Sequence, residues 1–256
     1  MAGYALDNSW DRAKRRLALL EQYLDPMTKR RMCALGVCRG SQCLEVGAGG
    51  GSIARWLSEQ VGPTGKVLAT DINIALLEGF NLPNVEAKRH DITKDSIPDS
   101  SFDFVHARWL LHHLPNPELA VRRMIGALRP GGWLLLEEVD FFPVHTSTSQ
   151  LYTDFMVALT GNVVRAAGGD CFWARALPGL VAGTGLQQVG GEGDYSVLQG
   201  GSPVAEFFCL TAEQMREQML AELSAERLDE ALRLLNSPDF WAFGGGGVAV
   251  WGQRPN

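Results

Sequence analysis

The stretch CLEVGAGGGSIARWLSEQ, residues 43–60 of this 256-residue chain, is built to hold a small polar ligand against bare backbone. An apolar run ends at Val46, and Gly47, Gly49, Gly50 and Gly51 lead directly into a helical pattern. Glycines let a turn take positive φ and let a ligand touch the main chain. The helix behind them offers unpaired N–H groups and the positive end of its dipole. That combination suits a nucleotide-like guest. Asp71 ends a second apolar run about twenty residues on, where a carboxylate accepts hydrogen bonds from ribose hydroxyls. Asp91, in RHDITK, follows a third strand-like stretch, NVEAKR (84–89), and Ile72 and Ile92 follow the two acids. Among the histidines downstream of these runs, whose side chains exchange a proton near neutral pH, His112 and His113 follow the fourth predicted strand and His145 the fifth.

The glycines distinguish between two classes of guest. The dinucleotide fingerprint G-x-G-x-x-G, counted from Gly47, requires a glycine at position 52, where Ser52 stands. The pattern E-x-G-x-G-x-G is instead met at every position from Glu45 to Gly51.

These residues need a scaffold, and strand and helix patterns alternate through the first two-thirds of the chain. Strands are predicted at 42–46, 66–70, 84–89, 101–107 and 133–139. Helices are predicted from Ser52 as N-cap, striped by Ile53, Leu57 and Val61, over 73–80, and along Ala120, Met124 and Leu128 up to RPGG. Alternation of this kind predicts a parallel sheet with helices on both faces, whose ligands bind beyond the carboxyl ends of the strands. Further helices are predicted at 148–168, 172–186, 203–220 and 224–236, with strands at 194–199 and 244–253. The glycines at 244–247 suit either a mobile rim loop or a turn into the last strand. With a helix around 10–24, the added helices read as a lid within one domain: an N-terminal lid over 1–32, a ligand-binding core over 40–140, and caps over 141–171 and 203–236.

Residues 40–140 resemble the class I S-adenosylmethionine-dependent methyltransferases. The likeness rests on the E-x-G-x-G-x-G turn, on Asp71 and Asp91 at their strand ends, on SFDFVHARWLLHHLPNPE, and on ALRPGGWLLLEE. It implies a doubly wound, mostly parallel seven-stranded sheet with the last strand antiparallel, and S-adenosyl-L-methionine as donor, leaving S-adenosyl-L-homocysteine. It also implies a donor site formed by Glu45, Gly47, Ala48, Gly49, Gly51, Asp71, Ile72, Asp91, Ile92, Ala107, Arg108 and His113. Asp71 would meet the ribose, Asp91 the adenine amino group, and Ile92 the ring. The opening GYALDNSWDRAKRRLALLEQYLD resembles the family's N-terminal lid helix and adds Tyr4 and Arg16 near the donor.

Methyl transfer is an in-line displacement at an already activated sulfonium carbon, so alignment and desolvation supply much of the rate. A base helps where the acceptor carries an acidic proton. His113, His145 and His112 are the candidates, with Glu138, Asp140 and Tyr152 near the same rim. The aromatic residues after Phe141 suit core packing first, and an apolar lid also suits a flat or hydrophobic small-molecule acceptor. The resemblance runs to small stand-alone bacterial enzymes of secondary or quinone-like metabolism, methylating O, N or C. Two other readings keep the donor: a cyclase or isomerase using the sulfonium charge, and an RNA or protein methyltransferase. The N/D-P-P-[YF] tetrapeptide of nucleic-acid amino methylation is absent, and HARW stands in its place. A nicotinamide dehydrogenase is disfavoured by Ser52.

Composition sets the outer bounds. A net charge of −6 argues against a nucleic-acid partner, and 46% hydrophobic with 20% charged residues is ordinary for a globular protein. Arg12, Lys14, Arg15, Arg16, Lys29, Arg30 and Arg31 read as a solvated helix face. The opening residues carry no apolar stretch of signal-peptide length, no run is long enough to span a bilayer, and five scattered cysteines form no CxxC pair. A cytoplasmic, metal-free enzyme is expected, as monomer or homodimer, with no membrane partner.

Overall fold

The computed structural model describes residue 6, residues 10–165, residue 170 and residues 172–256, the side chains of 163–165 excepted. Seven strands form one sheet: β1 (Gln42–Val46), β2 (Lys66–Asp71), β3 (Val85–Arg89), β4 (Phe102–Arg108), β5 (Leu128–Asp140), β6 (Gln187–Gln199) and β7 (Trp241–Gln253). Their order is β3-β2-β1-β4-β5-β7-β6, with β1 to β5 parallel and β7 antiparallel to both its neighbours. The chain winds outward from β1 to β3 and then crosses to β4. The crevice of the topological switch therefore opens beyond the carboxyl ends of β1 and β4.

The described helices are α1 (Ala13–Ala34), α2 (Ser52–Val61), α3 (Pro117–Ala127), α4 (Gln150–Arg165), α5 (Leu177–Ala182), α6 (Pro203–Gln214), α7 (Arg216–Glu222) and α8 (Ala225–Leu235). On one sheet face, the Ile53, Leu57 and Val61 stripe of α2 packs with Cys43, Val67 and Leu135; on the other, Val121 and Met124 of α3 pack with Val105 and Leu134. A third core lies under the added helices, where Phe155, Leu159, Phe207, Phe208, Leu228 and Leu235 meet Leu19 of α1 and Val139 of β5.

Several local expectations are corrected. Ser52 does not cap α2; Gly51 does, at φ 82°, because a Cβ there would lie 2.3 Å from Phe80 Cζ. Residues 73–80 form turns rather than a helix. The Asp71 carboxylate accepts Asn73 N and the Asn73 side chain accepts Ala75 N, so local side-chain bonds take the N–H groups a helix would have used. The predicted helix over 172–186 shortens to a 3₁₀ turn, Trp173–Ala176, followed by α5, and the one over 203–220 divides at Met215 into α6 and α7. β6 starts well before position 194, and the run 244–247 lies inside β7, neither a loop nor a turn. Glycine serves packing there: a Cβ on Gly190 would lie 2.7 Å from Trp251 Nε1, and one on Gly247 2.7 Å from Asp194 Oδ1. The N-terminal helix continues through Pro26 to Ala34. Its basic residues are not one solvated face, since Arg16 and Arg31 are buried.

Candidate active site

Over the carboxyl ends of β1, β2 and β4 lies a cavity of about 1100 Å³, roofed by Leu17, Leu20, Glu21 and Leu24 of α1. The glycine loop forms its floor. Gly47 N donates to Thr70 O (2.8 Å) and Gly49 N to Asp71 Oδ2 (2.9 Å), tying the loop to the end of β2. Gly49 sits at φ 55°, and a Cβ there would meet only Leu17, at 4.0 Å. The missing side chain thus leaves open space that faces the cavity.

The other Asp71 oxygen accepts Asn73 N at 3.0 Å, so both loops around the crevice hang on this one carboxylate. Burial raises its pKa, against the backbone N–H groups of Asn73, Gly49 and Ile72. Asp91 accepts Thr93 N (2.9 Å), Thr93 Oγ1 (2.6 Å) and Lys94 Nζ (2.6 Å). Desolvation is the largest single influence and opposes the anion, but the hydrogen bonds from Lys94 and Thr93 together outweigh it and hold the carboxyl at about 2. Ile72 and Ile92 line the same end of the cavity, Ile72 being 49% exposed.

Of the residues expected at the donor site, Glu45, Gly47, Ala48, Gly49, Asp71, Ile72, Asp91, Ile92, Arg108 and His113 come together around this cavity. Gly51 does not line it, since its free side faces Leu77 and Phe80. Ala107 is fully buried in the sheet core. Arg16 lies buried off the cavity, near enough to His113 for its charge to act there. Tyr4 falls outside the described residues.

Of the three candidate bases, His112 and His145 are off the cavity. His112 is 2% exposed, with Nδ1 2.5 Å from Glu138 Oε2. His145 Nε2 is 3.2 Å from Thr160 Oγ1, and its ring stands edge-on to Phe172 at 5.4 Å. His113 lines the cavity; burial first, then the charges of His112 and Arg16, lower its pKa well below the usual value, so the ring is neutral. The neighbouring acids are engaged elsewhere. Glu138 accepts Leu110 N and Leu111 N, Asp140 pairs with Arg175, and the Tyr152 hydroxyl donates to Phe243 O.

Three features were not foreseen from sequence. Glu21 hangs from α1 over the glycine loop, with Oε1 3.3 Å from Ser52 N, and burial raises its pKa. Trp109 lines the cavity at φ 51°, a left-handed conformation uncommon for a bulky residue. Its indole meets Phe141 and Phe207 edge-on, each at 6.4 Å. Beneath the floor, fully buried His106 bridges two carboxylates, with Nδ1 2.6 Å from Glu45 Oε2 and Nε2 3.0 Å from Glu137 Oε2. Glu137 also accepts Thr28 Oγ1 (2.6 Å) and pairs with Arg31, both from α1. Arg31 reaches on to Glu192 and Asp194 of β6.

A sheet of this order, with the antiparallel strand inserted beside the edge and a glycine loop at its switch point, is the class I methyltransferase architecture. Residues 11–189 match the family model described as a methyltransferase domain, and the chain belongs to that family. The methyltransferase str3 of Strobilurus tenacellus is 33% identical over 143 residues, 54% of this chain and 49% of that protein. The ubiquinone/menaquinone biosynthesis C-methyltransferase UbiE of Pseudomonas fluorescens (strain SBW25) is 34% identical over 131 residues, 48% of this chain and 51% of its own length. The chain thus spans about half the length of these curated relatives. Among solved structures, the YcgJ protein of Bacillus subtilis superposes with a TM-score of 0.62 at 17% identity, covering 89% of this chain and 97% of that one, a likeness of fold.

Proposed function

We propose that this chain transfers a methyl group from S-adenosyl-L-methionine to an O, N or C atom of a small aromatic or hydrophobic acceptor. The observation that carries this reading is the Asp71 carboxylate bound to Gly49 N beside backbone left bare toward the cavity. The residues present fit the donor. Asp71 would accept the ribose hydroxyls and Asp91 the adenine amino group, with Ile72 and Ile92 along the ring. Glu45 would face the positively charged amino-acid end. When bound, the donor supplies a methyl group already activated on a sulfonium sulfur.

The chain's own contribution is position and exclusion of water. Leu17, Leu20 and Leu24 close the cavity from α1 and raise the strength of every charge inside it. Trp109, held by Phe141 and Phe207, offers a rigid flat wall for a ring-shaped acceptor. UbiE, by its name a C-methyltransferase, favours carbon as the acceptor atom. If the acceptor must lose a proton, Glu21 is the better-matched base, because burial raises its pKa toward neutrality while it lowers that of His113. Residues 1–32 act as lid, 40–140 as donor core, and 141–171 with 203–236 as acceptor cap.

The test is incubation with the donor and a panel of phenols, quinols, indoles and amines, read by mass spectrometry. A donor-dependent gain of one methylene mass on a ring-bearing acceptor supports the reading. Conversion without mass change points to isomerase or cyclase chemistry instead, and methylation only of RNA or protein refutes the acceptor class.

A further inference from the structure

His106 sits in a setting that fixes its proton count. Its strand β4 lies between β1 and β5, placing the ring between Glu45 on one side and Glu137 on the other. An ionised carboxylate only accepts hydrogen bonds, so a ring nitrogen aimed at one must carry hydrogen. Both ring nitrogens are aimed at carboxylates, at 2.6 Å and 3.0 Å. Glu137 is kept ionised by Arg31 and by the Thr28 hydroxyl. A neutral imidazole would either leave a lone pair facing a carboxylate oxygen in a fully buried site or shift the proton onto Glu45, and the ring-nitrogen spectrum separates these from the imidazolium.

We infer that His106 is a standing imidazolium that positions Glu45 toward the donor end of the cavity and, through Glu137, couples donor binding to the docking of α1. The inference rests on the donor reading proposed above. The surrounding charge favours the imidazolium: the arginines Arg31 and Arg30 face the carboxylates Glu137, Glu192 and Asp194, and Glu45 adds a further carboxyl, so the cluster stays acidic even with His106 protonated. Burial opposes the imidazolium, but the two carboxylates outweigh it and raise its pKa to about 9.

The path to the lid is short. Thr28 and Arg31 hold Glu137, while Asp25, further up α1, pairs with Arg108 at 2.9 Å and accepts Ser52 Oγ at 2.9 Å. Leu17, Leu20, Glu21 and Leu24 of the same helix form the roof. Tilting α1 away would pull on Glu137, unseat His106 and release Glu45. Coupling of this kind is reciprocal, so a donor held by Glu45 must also favour the docked helix.

Histidine side chains labelled with ¹⁵N in the full chain report the proton count directly, with His106→Asn assigning the signals. Near neutral pH both ring nitrogens of His106 are expected to be proton-bearing, with or without ligand; one bare nitrogen overturns the inference. Arg31 and Thr28 do not line the cavity. Arg31→Leu is nevertheless expected to weaken S-adenosylhomocysteine binding by about tenfold and to lessen ligand-induced protection of α1 amides from hydrogen exchange. The near-isosteric Thr28→Val deletes the hydrogen bond to Glu137 and also the one that Thr28 Oγ1 accepts from Arg108 Nη1 at 2.8 Å, so it is read against Arg108→Lys. It is expected to cost about fivefold, with loss of α1 protection that Arg108→Lys does not reproduce, and serves if Arg31→Leu does not fold. Affinity within twofold of wild type in a folded variant overturns the coupling. If the wild-type chain binds no S-adenosylhomocysteine, the donor reading falls, and with it the coupling, while the ring-nitrogen spectrum still decides the charge of His106.

Discussion

Gly49→Ala and Gly51→Ala are neighbouring one-carbon changes with opposite expected consequences. Both glycines have positive φ, 55° and 82°, so alanine at either costs about 1 kcal/mol in backbone strain. At Gly49 the new Cβ meets no protein atom closer than Leu17 at 4.0 Å, so strain is the whole stability cost. That amounts to about 2–4 °C in Tm for a domain of this size. A bound donor would meet that methyl, however. Losing two backbone-directed hydrogen bonds at about 1.5 kcal/mol each gives roughly 100-fold weaker binding. At Gly51 the Cβ would sit 2.3 Å from Phe80 Cζ and 2.6 Å from Leu77 Cδ2, adding overpacking. The total of about 3 kcal/mol lowers Tm by roughly 10 °C. Thermal unfolding and calorimetric titration with S-adenosylhomocysteine on the same preparations measure both quantities. Wild-type affinity in Gly49→Ala would show that the ligand does not lie against this backbone, and the account of the glycine loop would fail.

Asp71→Ala removes the acceptor for Gly49 N and Asn73 N as well as the proposed ribose contact, and is expected to weaken donor binding about 100-fold, read by the same titration. Trp109→Ala should raise acceptor KM about tenfold or more while leaving donor Kd within a few-fold, since the indole is assigned to the acceptor wall; steady-state kinetics with each substrate varied in turn separates the two. Glu21→Gln should lower kcat about 100-fold for acceptors that must lose a proton, and should abolish the rise in rate as pH passes upward through the carboxyl pKa. His106 has a folded pKa of about 9, raised from 6.5, so its stabilising contribution is full below pH 6.5 and disappears as pH climbs through 9. Melting temperature is therefore expected to fall over that window in wild type and to lose that component in His106→Asn.

Much of the architecture was legible because its signals are local. The apolar runs of β1 and β2, the stripe on α2, and the E-x-G-x-G-x-G turn are each readable within a dozen residues, and they predicted the sheet and the crevice where the cavity lies. Strands that carry glycine for packing were hidden: β6 holds Gly190, Gly191 and Gly193 because Trp251 and the neighbouring β7 backbone fill the side-chain space. Residues 73–80 have helical periodicity, which Asx turns at Asp71 and Asn73 override. His106 carries no local signal, because its partners lie 61 and 31 residues away and only strand order brings them to its ring. Glu21 was missed for the same reason, its contact at Ser52 being 31 residues downstream. His145 follows a strand as an acceptor-site residue would, yet the 3₁₀ turn Phe142–Thr146 after β5 carries it toward Thr160 and Phe172 instead.

The most direct test of the central claim is calorimetric titration of the wild-type chain with S-adenosylmethionine, S-adenosylhomocysteine and NAD in parallel. Micromolar, one-to-one binding of the first two and none of NAD is expected. Binding of NAD would make the glycine loop a dinucleotide site, and binding of none of the three would leave it a purely structural role; either result contradicts the methyl-donor assignment.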